Sequence, residues 1–138
     1  MNWILDYLGK PWIAYARGPD AYDCWGLIID VLQRHFDSSI NQHGNVITDD
    51  RAGITQAFYQ ELQSGVWRKS ETASHGSIVV CWQEKDGQLL VRHVGLYLSV
   101  DGGGVLHSRE QAGVRFDHLH ILQRAFTKVE FYEKSHNH

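Results

Sequence analysis

Residues 22–27, Tyr-Asp-Cys-Trp-Gly-Leu, constrain the fold most, because they place a cysteine where a loop becomes an amphipathic helix. Gly18 and Pro19 indicate a turn just before this segment. Apolar residues then recur at the spacing of a helix face that packs on a core; they are Cys24, Leu27, Ile28, Val31 and Leu32. Cys24 is therefore predicted to lie in the first turn of a buried helix.

The start of a helix favours a thiolate, because its first N–H groups are unpaired and its macrodipole is positive there. Asp23 is predicted to cap this helix with its side chain. The negative charge of Asp23 opposes ionisation of the thiol, so a neighbouring histidine is needed to activate Cys24. The alternative for Cys24 is the usual role of a buried cysteine, filling a small apolar space in the core.

Two histidines downstream lie on predicted neighbouring strands. A long apolar run over residues 89–100 predicts one strand. Alternation along it places four residues on one face, which are Val91, His93, Gly95 and Tyr97. A turn at residues 101–104, Asp-Gly-Gly-Gly, leads to a second strand that carries His107. Paired strands can bring the two imidazoles together, so that one can take a thiol proton and the other can orient the first ring.

Four segments carry a pattern that extends along most of the chain. They read Gly-Lys-Pro-Trp at 9–12, Tyr-Asp-Cys-Trp-Gly-Leu at 22–27, His-Val-Gly-Leu-Tyr-Leu at 93–98 and Val-Leu-His-Ser at 105–108. In order and spacing they resemble the NlpC/P60 cysteine peptidases. In that family the cysteine opens a helix, the base histidine begins a strand, and a third polar residue follows on the next strand. The resemblance implies that Cys24 is the nucleophile, His93 the base and His107 the orienting residue.

The sequence departs from the family pattern near the nucleophile. Trp25 replaces the serine that usually follows the cysteine, and Trp12 stands where the family places a tyrosine. Tryptophan has no hydroxyl, so Tyr15 or Tyr22 is the expected replacement donor to an oxyanion, beside the backbone N–H of Cys24. Asp23 and Trp25 are grouped with these tyrosines as residues of the expected cleft. Residues 18–27 as a whole resemble the branch of the family found in tailed-phage tail proteins.

Composition predicts a single folded domain over residues 1–138, with 43% hydrophobic and 12% aromatic residues. The net charge of −3 and the lack of a Lys/Arg cluster argue against a nucleic-acid partner. No apolar run reaches the length of a membrane span, and no signal peptide is expected at the N-terminus. We therefore expect synthesis in a bacterial cytoplasm, and action after delivery to the periplasm or cell wall or as part of a virion tail.

The remaining cysteine and histidines are assigned structural roles. Cys81 lies in a compact apolar run and is predicted to be a core residue, and both cysteines are expected to be reduced. Zinc sites prefer close ligand pairs, and only His118 and His120 come near that spacing; both are expected to be solvated. No metal and no organic cofactor is expected.

The expected fold is α+β in a papain-like arrangement. It comprises a short N-terminal helix around residues 3–8, the Cys24 helix, a middle helix over about residues 51–64, and an antiparallel sheet of about five strands. The resemblance implies hydrolysis of an amide bond in the peptidoglycan stem peptide, between D-glutamate and a diamino acid, by a protein that has phage tail proteins as further partners. The alternatives are a secreted amidase or acyltransferase effector that uses the same three residues, and a mainly structural tail-tip protein.

Overall fold

The described part of the computed structural model, residues 2–38, 60 and 65–134, forms an α+β fold with two α-helices and one six-stranded sheet. A short 3-10 helix, Asn2–Asp6, precedes helix α1, Cys24–His35. The later elements are β1 Trp67–Ser70, β2 Ile78–Lys85, β3 Gln88–Leu98, β4 Gly104–Arg109, β5 Gly113–Asp117, α2 Leu119–Ala125 and β6 Lys128–Lys134. No helix in these described ranges is long and apolar enough to cross a membrane.

The sheet is antiparallel throughout, in the order β1-β6-β2-β3-β4-β5. The last strand, β6, therefore inserts between β1 and β2. The sheet has one strand more than the roughly five expected, because no sequence pattern predicts β1. That strand is only four residues long and Trp67 is its one buried residue, so no alternating pattern is visible before β6 is in place beside it.

Each face of the sheet packs against a different helix. The larger core joins the apolar face of α1 to one face of the sheet, and the stripe predicted for α1 is buried as expected. The smaller core lies on the opposite face under α2, which contributes Leu122. Cys81 lies in this second core and is fully buried, as predicted.

Three helical segments differ from expectation or lie beyond it. The N-terminal segment forms a 3-10 helix over Asn2–Asp6, not a helix over residues 3–8. The middle helix predicted over residues 51–64 falls outside the described residues, except for Gln60. Helix α2 was not predicted; it is only seven residues long and buries a single residue, Leu122, so it has no clear apolar period.

A β-bulge at Arg92 changes the direction of the side chains in β3. Cys81 pairs with His93 but the next residue, Trp82, pairs with Val91, so Arg92 is an extra residue in β3. Val91 consequently joins the α1-side core, together with Val94. The prediction that Val91 and His93 share a face is therefore wrong, because alternation breaks at the bulge.

Candidate active site

Cys24 is the first residue of α1, and a cluster of hydrogen bonds fixes the loop in front of it. Asp23 caps the helix, as predicted, by accepting a hydrogen bond from the Gly26 N–H at 2.6 Å. The same carboxylate accepts hydrogen bonds from the Arg17 guanidinium at 2.8 Å and from the Tyr15 N–H at 3.0 Å. Asp23 therefore holds the loop against the start of the helix that carries Cys24.

Gly26 is required by the close approach of this loop. A β-carbon at this position would lie 2.2 Å from the carbonyl oxygen of Ala16, which itself accepts a hydrogen bond from the Asp23 N–H. No side chain fits at that distance. The glycine two residues after the cysteine thus has a local structural cause.

A second set of hydrogen bonds ties the nucleophile loop to the sheet. Ser108 in β4 donates a hydrogen bond through its hydroxyl to the carbonyl oxygen of Tyr22, at 2.7 Å. The N–H of Tyr22 donates to the carbonyl oxygen of Pro11, which holds the Trp12 segment against the same loop. Since Ser108 follows His107 in β4, one strand positions both the loop and the second histidine.

Burial raises the pKa of the Cys24 thiol to about 12, and the negative charge of Asp23 acts in the same direction. The backbone N–H groups of Val94, Trp25 and Cys24 oppose this shift but do not overcome it. The thiol is consequently protonated at neutral pH in the free protein. Helix-end stabilisation alone does not activate Cys24, as the sequence indicated, so the thiol could act as a nucleophile only if a base removed its proton.

His93, His107 and Asp117 form a hydrogen-bonded chain across three neighbouring strands, β3, β4 and β5. His93 Nε2 and His107 Nδ1 are 2.8 Å apart, and His107 Nε2 and Asp117 Oδ2 are also 2.8 Å apart. Arg115 donates hydrogen bonds to both carboxylate oxygens of Asp117. The predicted contact between the two histidines is confirmed, and the chain continues one residue further.

This chain determines which nitrogen of each imidazole carries the proton. Hydrogen bonds from Arg115 and His107 outweigh burial and hold the pKa of Asp117 below its usual value, so its ionised carboxylate accepts a hydrogen bond from His107 Nε2–H. Neutral His107 then accepts at Nδ1 from His93 Nε2–H. His93 Nδ1 is left with a free lone pair, which makes it the nitrogen able to act as a base.

The resting state of His93 is the neutral imidazole. Burial lowers the pKa of His93 well below its usual value; a positive charge on His107, when that ring is protonated, and the charges of Arg109 and Arg92 act in the same direction. Burial also lowers the pKa of His107, although Asp117 opposes the shift. Both histidines are therefore uncharged at neutral pH, in keeping with the tautomers set by Asp117.

Gly95 makes room for the histidine pair. A β-carbon there would lie 2.5 Å from Val105 Cγ1 and 3.1 Å from the β-carbon of His107. Because Gly95 has no side chain, Val105 and His107 can lie over β3, and His107 reaches the ring of His93. The neighbour that uses this space is β4.

Cys24 and His93 line one small cavity of about 20 Å³, together with Trp12, Arg92 and Glu110. We call it the nucleophile cavity. Trp12 thus occupies the place near the nucleophile that the family pattern gives to a tyrosine. The Cys24 thiol and the His93 ring thus face the same space, which is what proton transfer between them would require.

Three other residues expected at the cleft have different surroundings. The Tyr22 hydroxyl donates a hydrogen bond to Asp30 at 2.5 Å, within the α1-side core. Trp25 is also buried in that core. Tyr15 is 46% exposed and meets the site through its backbone N–H to Asp23. The backbone N–H of Cys24 therefore remains the first candidate for an oxyanion donor.

Asp117 is the residue of the chain that sequence reasoning missed. The nearby His118 and His120 are exposed, as expected, and stack on each other. The available signal was the register of the β4–β5 hairpin, in which His107 pairs with Arg115 and Val105 with Asp117. Alternate residues share a face, so Asp117 lies beside His107 once that register is known. Among the described residues, no group of three or more His, Cys, Asp and Glu side chains is arranged to hold a metal ion.

Residues 9–130 match the profile described as the NlpC/P60 family, and this span covers most of the 138-residue chain. Proteins of the family are cysteine peptidases and related hydrolases that act on peptidoglycan. No curated protein and no solved structure gives a significant match.

Proposed function

Since the chain belongs to the NlpC/P60 family, we propose that it is a cysteine peptidase that hydrolyses an amide bond in the stem peptide of peptidoglycan. One observation carries the proposal. The hydrogen bonds that run from Asp117 through His107 end at His93, and His93 lines the same cavity as Cys24. A core cysteine has no need of a neutral, oriented imidazole beside it.

In the proposed reaction, the Cys24 sulfur attacks the amide carbonyl carbon while His93 Nδ1 takes the thiol proton. His93 then gives that proton to the leaving nitrogen, and the C–N bond breaks to leave a thioester on Cys24. Water then attacks the thioester and gives a proton to His93, the C–S bond breaks to release the carboxylic acid, and the Cys24 sulfur regains the proton from His93. His107 and Asp117 keep Nδ1 unprotonated at the start of each cycle.

We propose the bond between D-glutamate and the diamino acid as the one cleaved, on the strength of the resemblance in residues 22–27 and 93–98. The test is digestion of defined muropeptides by the parent protein, by Cys24→Ala and by Cys81→Ala, with mass spectrometry of the products. Cys81 is the matched control, because it is equally buried but lies in the second core. Cleavage at this bond by the parent and Cys81→Ala, but not by Cys24→Ala, is expected.

The same digestion distinguishes the other functions open to this site. An amidase or acyltransferase would also depend on Cys24, but it would release a different product or transfer the acyl group to an added amine. A mainly structural protein would give no Cys24-dependent product with any substrate. Cleavage elsewhere in the muropeptide would contradict the assigned bond but retain the peptidase.

We further propose that the protein acts from a phage or prophage tail, which would bring it to the cell wall from outside. The support is the resemblance of residues 18–27 to the tail-protein branch of the family. Mass spectrometry of purified virions from an induced host is the test. Detection of the chain in the particle is expected, and its presence only in a secreted fraction would favour an effector instead.

A further inference from the structure

A second and larger pocket adjoins the nucleophile cavity at His93. Its volume is about 270 Å³, and we call it the arginine pocket. It is lined by Gln83, Arg92, His93, Arg109, Glu110, Ala125 and Phe126. Arg92, His93 and Glu110 line both spaces, so a substrate held at Cys24 and His93 has this pocket next to it.

The charged groups of the arginine pocket do not balance. Arg92 and Glu110 form a loose ion pair, with 3.8 Å between Arg92 Nη2 and Glu110 Oε2. Arg109 has no carboxylate within ion-pair distance among residues 2–38, 60 and 65–134. With His93 neutral, the pocket therefore carries one positive charge that the described residues leave uncompensated.

This excess charge acts against the catalytic base. The positive charges of Arg92 and Arg109 both disfavour the imidazolium form of His93, which must appear when the thiol proton is transferred. An anion bound between the arginines would remove part of that penalty. The cationic pocket is thus better suited to the reaction when it is occupied by a negative group than when it is empty.

One wall of the pocket is apolar. Ala125 and Phe126 lie at the end of α2, and the Phe126 ring stacks on the His93 ring with centroids 5.9 Å apart and planes 11° from parallel. An aliphatic chain can lie along this wall while a carboxylate at its end meets the guanidinium groups. The pocket therefore suits an aliphatic residue that ends in a carboxylate.

The chemistry identifies which side of the substrate meets this pocket. His93 must deliver its proton to the leaving nitrogen, so the residue on the amine side of the scissile bond lies next to His93. We infer that the arginine pocket binds a carboxylate of this amine-side residue, with Arg109 as the main contact and Arg92 beside it. The inference rests on the proposed function for the choice of bond, and it specifies an amine-side diamino acid with free carboxylates.

Binding can be tested without turnover by using Cys24→Ala. The probes are γ-D-glutamyl-diaminopimelate and the same dipeptide with both diaminopimelate carboxylates amidated, titrated by calorimetry or by NMR. We expect the acid form to bind at least about tenfold more tightly, because a charge-assisted hydrogen bond to arginine is lost in the amide. Adding Arg109→Gln is expected to abolish this preference, and Arg109→Lys to retain part of it.

The matched control is Arg68→Gln, which removes an arginine on β1 that pairs with Glu133, three strands away from β3 in the sheet. It is expected to leave the preference unchanged. Equal binding of the two probes, or a preference that survives Arg109→Gln, would overturn the inference.

Hydrolysis by the parent protein separates this inference from the proposed function. If the parent cleaves both probes and Cys24→Ala binds them equally, the peptidase stands and the carboxylate site is wrong. If Cys24→Ala prefers the acid form through Arg109 but the parent cleaves neither probe, the site stands and the peptidase assignment fails.

Discussion

Two aspartate–arginine pairs flank the candidate active site, and they differ in what surrounds them. Asp23 is completely buried beside Cys24, where it accepts from Arg17 and from two backbone N–H groups. Asp117 lies at the end of β5, where it accepts from Arg115 and His107. The first pair holds a loop on a helix, and the second sets the proton positions of two imidazoles.

The surroundings give the two carboxyl groups opposite pKa shifts. Burial raises the pKa of Asp23 in spite of the hydrogen bonds from Gly26, Arg17 and Tyr15, whereas hydrogen bonds from Arg115 and His107 outweigh burial and hold the pKa of Asp117 low. The same two residue types therefore hold a loop in one place and, in the proposed reaction, position protons in the other. Substitutions at the two ends are expected to separate these roles.

Asp23→Ala is expected to give the largest effect, a loss of about 3 kcal/mol in the free energy of unfolding. The reason is that Gly26, Tyr15 and Arg17 each lose their acceptor in a closed site. Urea denaturation measures the loss. Asp20→Ala is the control, because Asp20 is exposed in the same loop, and it should stay near the parent value. An equal loss of stability in the two variants would contradict this role of Asp23 in holding the loop.

Asp117→Ala is expected to lower kcat by about tenfold to a hundredfold, with a small change in stability. Without the carboxylate, His107 can place its proton on Nδ1, and His93 then no longer keeps Nδ1 free. Steady-state kinetics on the muropeptide that the parent cleaves provide the measurement. Asp101→Asn, in the exposed turn before β4, should leave kcat unchanged. A change in KM alone would argue against a role in proton placement.

Acid is expected to destabilise the folded protein through His93 and His107. The pKa values of His93 and His107 are lower in the folded protein than in the unfolded chain, so the unfolded chain takes up protons first as the pH falls. Stability is therefore fully present above about pH 6.5 and declines below it, by at most about 1.4 kcal/mol per pH unit for each histidine. Urea midpoints between pH 8 and 5 test this.

The double variant His93→Gln with His107→Gln should flatten that decline. In the parent, the acid limb of kcat/KM should lie below pH 6.5, because the free protein keeps His93 neutral to lower pH. An acid limb above pH 6.5 would contradict the neutral resting state.

Arg115→Gln is expected to give the smallest effect, a decrease in kcat of no more than about threefold, because the arginine is exposed and solvent screens it. His107 continues to donate to Asp117 without it. In urea denaturation, Arg17→Gln is expected to lower the free energy of unfolding more than Arg115→Gln does, since Arg17 pairs with the buried carboxylate of Asp23. Equal losses of stability in the two arginine variants would contradict the difference between the Asp23–Arg17 and Asp117–Arg115 pairs.

The local patterns around Cys24 were sufficient to predict that end of the site. The helix stripe, the Asp23 cap and the buried cysteine depend on neighbours in the sequence, and the structure has all three. The pairing of His93 with His107 was also predictable, because a short turn joins their strands. These features need only local spacing and one hairpin.

The rest depends on contacts between distant residues. The short strand β1 exists because β6 pairs with it, more than 50 residues later in the chain. The bulge at Arg92 breaks the alternation on which the face of Val91 was assigned. Asp117 joins the chain only through the register of β4 and β5. None of these is visible from the period of a single segment.

Nitrogen-15 NMR of the imidazole rings, in the free protein at pH 7, tests the proton placement on His93 and His107 most directly. Assignment would use His93→Gln and His107→Gln, since the chain has 9 histidines. We expect both rings to be neutral and to carry their proton on Nε2, which leaves His93 Nδ1 able to accept the thiol proton. A proton on His93 Nδ1, or a charged His93 in the resting protein, would contradict this expectation.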